Sequence, residues 1–181
     1  MIRFSRPLIG CCAYSGAGKT TLLAGLLPRL QARGLRVAVV KHAHHAFEMD
    51  QPGKDSHSLR LAGAHQVLVA SRKRMAWIRE FQPEREEPSL QDALDALDPR
   101  GLDLVLVEGF KHEPYPKIEL HRPSLGRPLI YPDDEHVVAI ATDAPLQHTV
   151  NIGERLLFTL DLNDHEAIAV FIIDTLKLST H

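Results

Sequence analysis

Residues 7–32 constrain this chain most, because they read as an apolar strand, a glycine-rich turn and an amphipathic helix in direct succession. Pro7 to Ala13 is nearly all apolar, the pattern of a strand covered on both faces. From about Lys19 to Ala32, Leu22, Leu23, Leu26, Leu27 and Leu30 recur at helical spacing. Gly34 stands where a left-handed residue would end that helix, and Pro28 inside it removes one backbone hydrogen bond and is expected to kink it. The turn itself, Ala13-Tyr14-Ser15-Gly16-Ala17-Gly18-Lys19-Thr20, fits the phosphate-loop pattern GxxxxGK[ST] at every fixed position except the first glycine. Ala13 takes that place, and a residue that only ends the strand tolerates the change. Gly16 and Gly18 let the backbone curl until its N–H groups point inward, and those donors with the helix N-terminus favour a polyphosphate. Ser15, Gly16, Ala17, Gly18, Lys19, Thr20 and Thr21 are therefore the expected nucleotide-binding residues. Lys19 supplies a compact charge for the β- and γ-phosphates, Thr20 a hydroxyl for Mg²⁺, and Thr21 reaches towards the α-phosphate.

The rest of the chain keeps alternating strands with helices, the order of an α/β domain. Strands are expected at Val37–Lys41, Val67–Ser71, Met75–Glu80, Leu104–Val107, Ile118–His121, Val137–Ala141 and Leu156–Leu160. The second and third of these make a hairpin turning at Arg72–Arg74. Helices are expected from about Ser56 to Leu61, from the Ser89/Asp92 start signal to Pro99, and after an Asn163 cap. The 181 residues show no repeat and no linker, so residues 1–181 are read as a single domain. The expected fold is a three-layer P-loop NTPase sandwich with a mostly parallel central sheet and additional β-strands.

Composition narrows the function classes. With 21 Lys and Arg against 23 Asp and Glu, the net charge is −2, and no basic stripe marks a nucleic-acid surface. The longest apolar run, Ala167 to Ile173, falls far short of the roughly 20 residues that cross a bilayer. Arg3 and Arg6 precede no apolar stretch with a cleavage site, so no signal peptide is expected. Cys11 and Cys12, as chain neighbours, cannot close a long disulfide loop. A cytoplasmic protein without nucleic-acid or membrane partners is expected.

Asp103-Leu104-Val105-Leu106-Val107-Glu108-Gly109 is an apolar strand ending in an acid, as a Walker B segment is. At the C-terminal end of a sheet strand, Glu108 would stand in the ligand crevice beside the phosphate loop and hold Mg²⁺ or orient water. Lys19 and Glu108 are thus the expected catalytic pair, with Thr20, Glu108 and Asp50 as Mg²⁺ ligands.

Five blocks occur in order: Ser15-Gly16-Ala17-Gly18-Lys19-Thr20-Thr21, Val40-Lys41-His42-Ala43-His44-His45, Pro52-Gly53-Lys54-Asp55-Ser56, Ala62-Gly63-Ala64 and Val107-Glu108-Gly109-Phe110-Lys111-His112. Together they resemble the MobB family of GTP-binding adaptors in molybdopterin-guanine dinucleotide biosynthesis, from about Leu8 to Ile173. The resemblance implies a fold related to nickel-insertion and signal-recognition GTPases, a homodimer, GTP and Mg²⁺ as cofactors, and weak GTPase activity at most. It also implies a MobA-type guanylyltransferase as partner, with molybdopterin itself as a further candidate ligand. A nickel-insertion metallochaperone GTPase and a small-molecule P-loop kinase are the alternatives. The first lacks its metal-binding cysteine; the second would need a lid with several arginines, for which only Arg72, Arg74, Arg122 and Arg127 are available.

Other groups carry two readings each. His42, His44 and His45, among eleven histidines, are metal ligands or line the crevice. Asp50 is a site acid, whereas Asp55 is expected to cap the helix that follows. Arg72-Lys73-Arg74 is read as a solvated turn, and Trp77 and Phe81 as core, with a dimer edge as the alternative. Asp143, ending a late strand, is the expected guanine reader, although the lysine of the usual Asn/Thr-Lys-x-Asp motif is missing; capping the turn into Pro145 is the alternative.

Overall fold

The computed structural model describes residues 2–43, 50–81, 87–144, 149–152 and 155–180. They form two compact units, one of residues 1–42 with 89–181 and the other of Ala43–Pro88.

The larger unit is built on a seven-stranded sheet. Its strands are β1 (Leu8–Cys12), β2 (Val37–Lys41), β5 (Leu104–Glu108), β6 (Lys117–His121), β7 (Val137–Thr142), β8 (Thr149–Ile152) and β9 (Arg155–Asp161). They lie in the order β2-β5-β1-β6-β7-β9-β8, every neighbour parallel except β8 against β9. Alternation along β5 sorts the two faces. Leu104 and Leu106 join Leu22, Leu26 and Leu30 of α1 (Lys19–Gln31) and Ile168 and Ile172 of α4 (His165–Leu176). Val105 and Val107 join Leu90 and Leu94 of α3 (Leu90–Asp95). A sheet with helices on both faces is the three-layer arrangement expected, and each fully buried leucine contributes about 1.5–3 kcal/mol to it.

Local signals set the ends of these elements. Ser89 and Asp92 form a reciprocal capping box at the start of α3, with Asp92 in the place Glu or Gln usually takes. Gly34 has φ +78°, and Leu35 N–H returns to the Leu30 carbonyl at 3.2 Å. The α1 helix runs on across Pro28 to Gln31, and Arg29 Nη1 donates to the Gly25 carbonyl at 2.7 Å. The cap of α4 is Asp164, which accepts from Ala167 N–H at 2.9 Å, rather than Asn163. Asn163 instead gives its own N–H to Asp161, one residue too early to cap. The antiparallel strand β8 has no counterpart in the sequence reading.

The smaller unit holds α2 (Asp55–Leu61) and the antiparallel hairpin of β3 (Gln66–Ala70) and β4 (Met75–Arg79). Its turn is at Ser71–Arg74, where Ser71 N–H donates to the Arg74 carbonyl at 2.8 Å and Arg72, Lys73 and Arg74 are exposed. Asp55 is already the first residue of α2, so Lys54 occupies the cap position and no side chain bonds there. That corrects the capping role expected of Asp55. Trp77 is 43% exposed and donates to Gln66 Oε1, so it is not a core residue.

Candidate functional site

The phosphate loop leaves β1 after Cys12 and enters α1 at Lys19. Gly16 (φ +81°) and Gly18 (φ +98°) adopt the left-handed conformation that the inward curl requires, and Gly18 is the N-cap of α1. The Lys19 ammonium donates to the carbonyls of Ala13 at 3.2 Å and Tyr14 at 3.3 Å, so it lies over its own loop. Ser15, Gly16, Thr20 and Thr21 are exposed on this turn, and Ala17 is buried beneath it.

Register brings the acid to the loop. Glu108 stands opposite Cys11 in the β1–β5 ladder, and the Thr20 hydroxyl is 3.1 Å from both of its carboxylate oxygens. A hydroxyl and a carboxylate are hard oxygen donors, the kind Mg²⁺ takes, so this pair fits that ion. Sequence reasoning assigned no role to Lys41, which β2–β5 register places directly opposite Glu108. Its ammonium lies 3.3 Å from Glu108 Oε1 and 3.4 Å from Thr20 Oγ1. A lysine ending the strand beside an acid-terminated one was the available signal.

His42 follows Lys41; its N–H donates to the Glu108 carbonyl at 2.8 Å and its ring stacks on Phe110 with centroids 4.6 Å apart. A side chain at Gly109 would bring a Cβ to 2.7 Å from that of His42, and Gly109 has φ +96°, so the Glu-Gly pair is a geometric requirement. His44 and His45 lie outside the described residues. Asp50 belongs to the smaller unit, where Ser56 Oγ donates to it at 2.8 Å and Arg60 Nε lies 3.7 Å away.

Asp143 follows β7 and is ion-paired with Arg122, whose Nε also donates to the Ala17 carbonyl at 3.0 Å. Arg122 thereby ties the end of β7 to the phosphate loop. The turn after β7 is closed by Thr142, whose hydroxyl accepts from Ala144 N–H at 3.3 Å; this is the capping that the sequence offered to Asp143. Burial pushes the Cys11 and Cys12 thiols up to about 12, aided at Cys11 by Cys12 and Glu108 and at Cys12 by Glu119. Both stay neutral and inert near pH 7.

The family model described as molybdopterin guanine dinucleotide synthesis protein B matches residues 8–143. An Escherichia coli protein named molybdopterin-guanine dinucleotide biosynthesis adapter protein is 46% identical over 94% of this chain and 94% of its own length. A Haemophilus influenzae protein of the same name is 47% identical over 92% of this chain and 87% of its own. Among solved structures, Bacillus subtilis MobB superposes with a TM-score of 0.68 at 19% identity, over 94% of this chain and 97% of that one, a likeness of fold. A second structure, of molybdopterin-guanine biosynthesis protein B, gives 0.62 at 27% identity, over 93% and 99%. On this similarity of sequence along nearly its whole length, the chain belongs to the MobB family.

Proposed function

We propose that this chain is a GTP-binding adaptor that assists a MobA-type guanylyltransferase in converting molybdopterin to its guanine dinucleotide, and that it hydrolyses GTP slowly. The observation that carries the reading is the Thr20–Glu108 pair set beside the glycine-curled loop and Lys19. The inward N–H groups and the Lys19 ammonium, once turned from the Ala13 and Tyr14 carbonyls, hold the β- and γ-phosphates. Thr20 and Glu108 hold Mg²⁺, which when bound neutralises charge on the phosphate oxygens. Asp50 is kept as a further candidate ligand of that ion; its described partners within the smaller unit are Ser56, Gln51 and Arg60. Hydrolysis is attack of water on the γ-phosphorus with loss of GDP, and Glu108 is the group that orients the water. Asp143 reads guanine.

The names of the Escherichia coli and Haemophilus influenzae relatives support the pathway, and they support neither the nickel-insertion nor the kinase alternative. Leu68, Val69, Met75 and Trp77 are exposed on the two-stranded hairpin, whose edges and apolar surface suit a second copy and so a homodimer. Both units are read as one GTP-binding domain acting in the cytoplasm.

Two variants test the assignment. Lys19→Ala should lower GTP affinity at least about tenfold, or about 1.4 kcal/mol, in calorimetry on a protein whose circular dichroism is unchanged. Unaltered binding would remove the phosphate-loop role. Glu108→Gln should reduce single-turnover hydrolysis far more than GTP binding; equal rates would return Glu108 to a structural part.

A further inference from the structure

Two charges buried in β6 serve neither the nucleotide loop nor the core. Ile118 and Leu120 of this strand face the α1 and α4 side, so Lys117 and Glu119 face the other way, and each is 1% exposed. The Lys117 ammonium donates to the carbonyls of Lys111 at 2.9 Å and Glu113 at 2.8 Å and pairs with Asp134 at 2.7 Å. Glu119 accepts the N–H groups of Ile130 at 2.7 Å and Tyr131 at 2.8 Å. Removing ions from water costs several kcal/mol each even after relaxation. A chain that needed only to link β5 to β6 and β6 to β7 had no use for that expense. What both charges do is fix loops 109–116 and 122–136.

Those loops and the start of the phosphate loop line an open cavity of about 360 Å³. That volume lies within the range of small-molecule sites, roughly 300–1,000 Å³. Its walls are chemically divided. Lys111 and His112 are cationic or protonatable, Asp133 is a carboxylate, Leu129 and Ile130 are apolar, and Tyr14 offers a ring. The side chains of Lys111, His112 and Asp133 take no hydrogen bond or ion pair among the described residues, so their capacity is available to a ligand. A carboxylate accepts the adjacent ring N–H and amino group of a 2-amino-4-oxopyrimidine edge; lysine and histidine take an anionic substituent; the apolar wall and the tyrosine take the flat ring. Guanine and pterin share that edge. The ring of Tyr14, inside the phosphate loop itself, makes this cavity a neighbour of the nucleotide phosphates.

We propose that the cavity between loops 109–116 and 122–136 binds a pterin carrying an anionic side chain, with Asp133 reading the 2-amino-4-oxo edge and Lys111 the anion. This deepens the adaptor reading, since it gives molybdopterin a place on this chain beside GTP. The probe is pterin-6-carboxylate, followed by its own fluorescence anisotropy on protein saturated with GDP and Mg²⁺. Saturable binding is expected, weakened at least about tenfold by Asp133→Asn and severalfold by Lys111→Ala, with GTP affinity unchanged in both. Both residues are exposed, so the variants should fold, and thermal melts check that. Lys19→Ala should keep the pterin while losing GTP, which separates failure of this site from failure of the phosphate-loop assignment. No saturable binding, or equal binding by Asp133→Asn, overturns the proposal. So does displacement of the pterin by GTP together with weaker GTP binding by Asp133→Asn, which would make the cavity the guanine end of the nucleotide site.

Discussion

The phosphate loop and the two loops that follow β5 and β6 each hold irregular backbone still, by opposite means. The first relies on local conformation: Gly16 and Gly18 adopt positive φ within a few residues, and side chains from other elements, Arg122 on the Ala17 carbonyl and Glu108 at the Thr20 hydroxyl, brace it. The others rely on two fully buried charges, Lys117 and Glu119, that reach loops before and after them in the chain. A backbone set by its own residues keeps its polar groups free for a ligand. A backbone set by buried ions is rigid but stands or falls with the pairing of those ions.

The comparison breaks first at Lys117. Lys117→Met keeps the length of the side chain but leaves Asp134 without its cation and two carbonyls without a donor. The expected loss of stability is about 3–5 kcal/mol in urea denaturation at pH 7. Its pH dependence carries the sign. Burial alone would raise the Asp134 carboxyl, but the hydrogen bonds from Lys117 and His136 N–H and the Lys117 charge outweigh it and hold the group below its usual range. The stability this gives is present above the ordinary aspartate value and is lost as pH falls through the depressed one. The gap between the wild type and Lys117→Met should therefore narrow in acid. A loss under about 1 kcal/mol at pH 7 would mean that the loops are not held by this charge.

The same contrast decides what the sequence could tell. The phosphate loop, the acid-terminated strand and the hairpin at Ser71–Arg74 were legible because their determinants are contiguous: glycine spacing, an apolar run, a turn between two β-rich runs. Lys41 meets Glu108 only through parallel register, and its place at a strand end was the one local sign of it; Arg122, Lys117 and Glu119 act on loop backbone that the fold brings to them, and no local pattern marks them. Helix starts were legible to within a residue. Asn163 and Asp164 are equally good caps by composition, and only the path of the chain leaving β9 selects Asp164. Trp77 was read as core because large aromatics usually are, but a two-stranded sheet has a face that its own unit leaves exposed.

A middle-sized effect tests the local half of the comparison. Gly18→Ala puts a Cβ 3.6 Å from Arg122 Nη2, an ordinary contact, so space is not the obstacle. The obstacle is φ +98°, which costs an L-residue about 1–2 kcal/mol. The variant should lose about that much stability, less than Lys117→Met, while GTP binding suffers more as the N–H groups turn away. Calorimetric titration beside a urea melt separates the two losses. Intact GTP binding would show that the loop is not shaped by its glycines.

The smallest expected effect on stability is at Asp143, and it is the one that bears on base choice. Its ion pair with Arg122 is partly open to water, at 28% and 31% exposure, and such pairs contribute about 0–1 kcal/mol. Asp143→Asn should therefore melt close to wild type. Guanine presents a ring N–H and an amino group as adjacent donors, which a carboxylate accepts in pairs, whereas the 2-oxo group of xanthine needs a donor. If Asp143 turns from Arg122 to the base, the asparagine variant should weaken GTP and strengthen xanthosine triphosphate in a competition titration. If Asp143 serves only to aim Arg122 at the Ala17 carbonyl, the two nucleotides should weaken together, because Arg122 steadies the phosphate end that both share. Equal weakening would transfer Asp143 from base recognition to the support of the phosphate loop, as a further long-range anchor beside Arg122 on an otherwise locally determined turn.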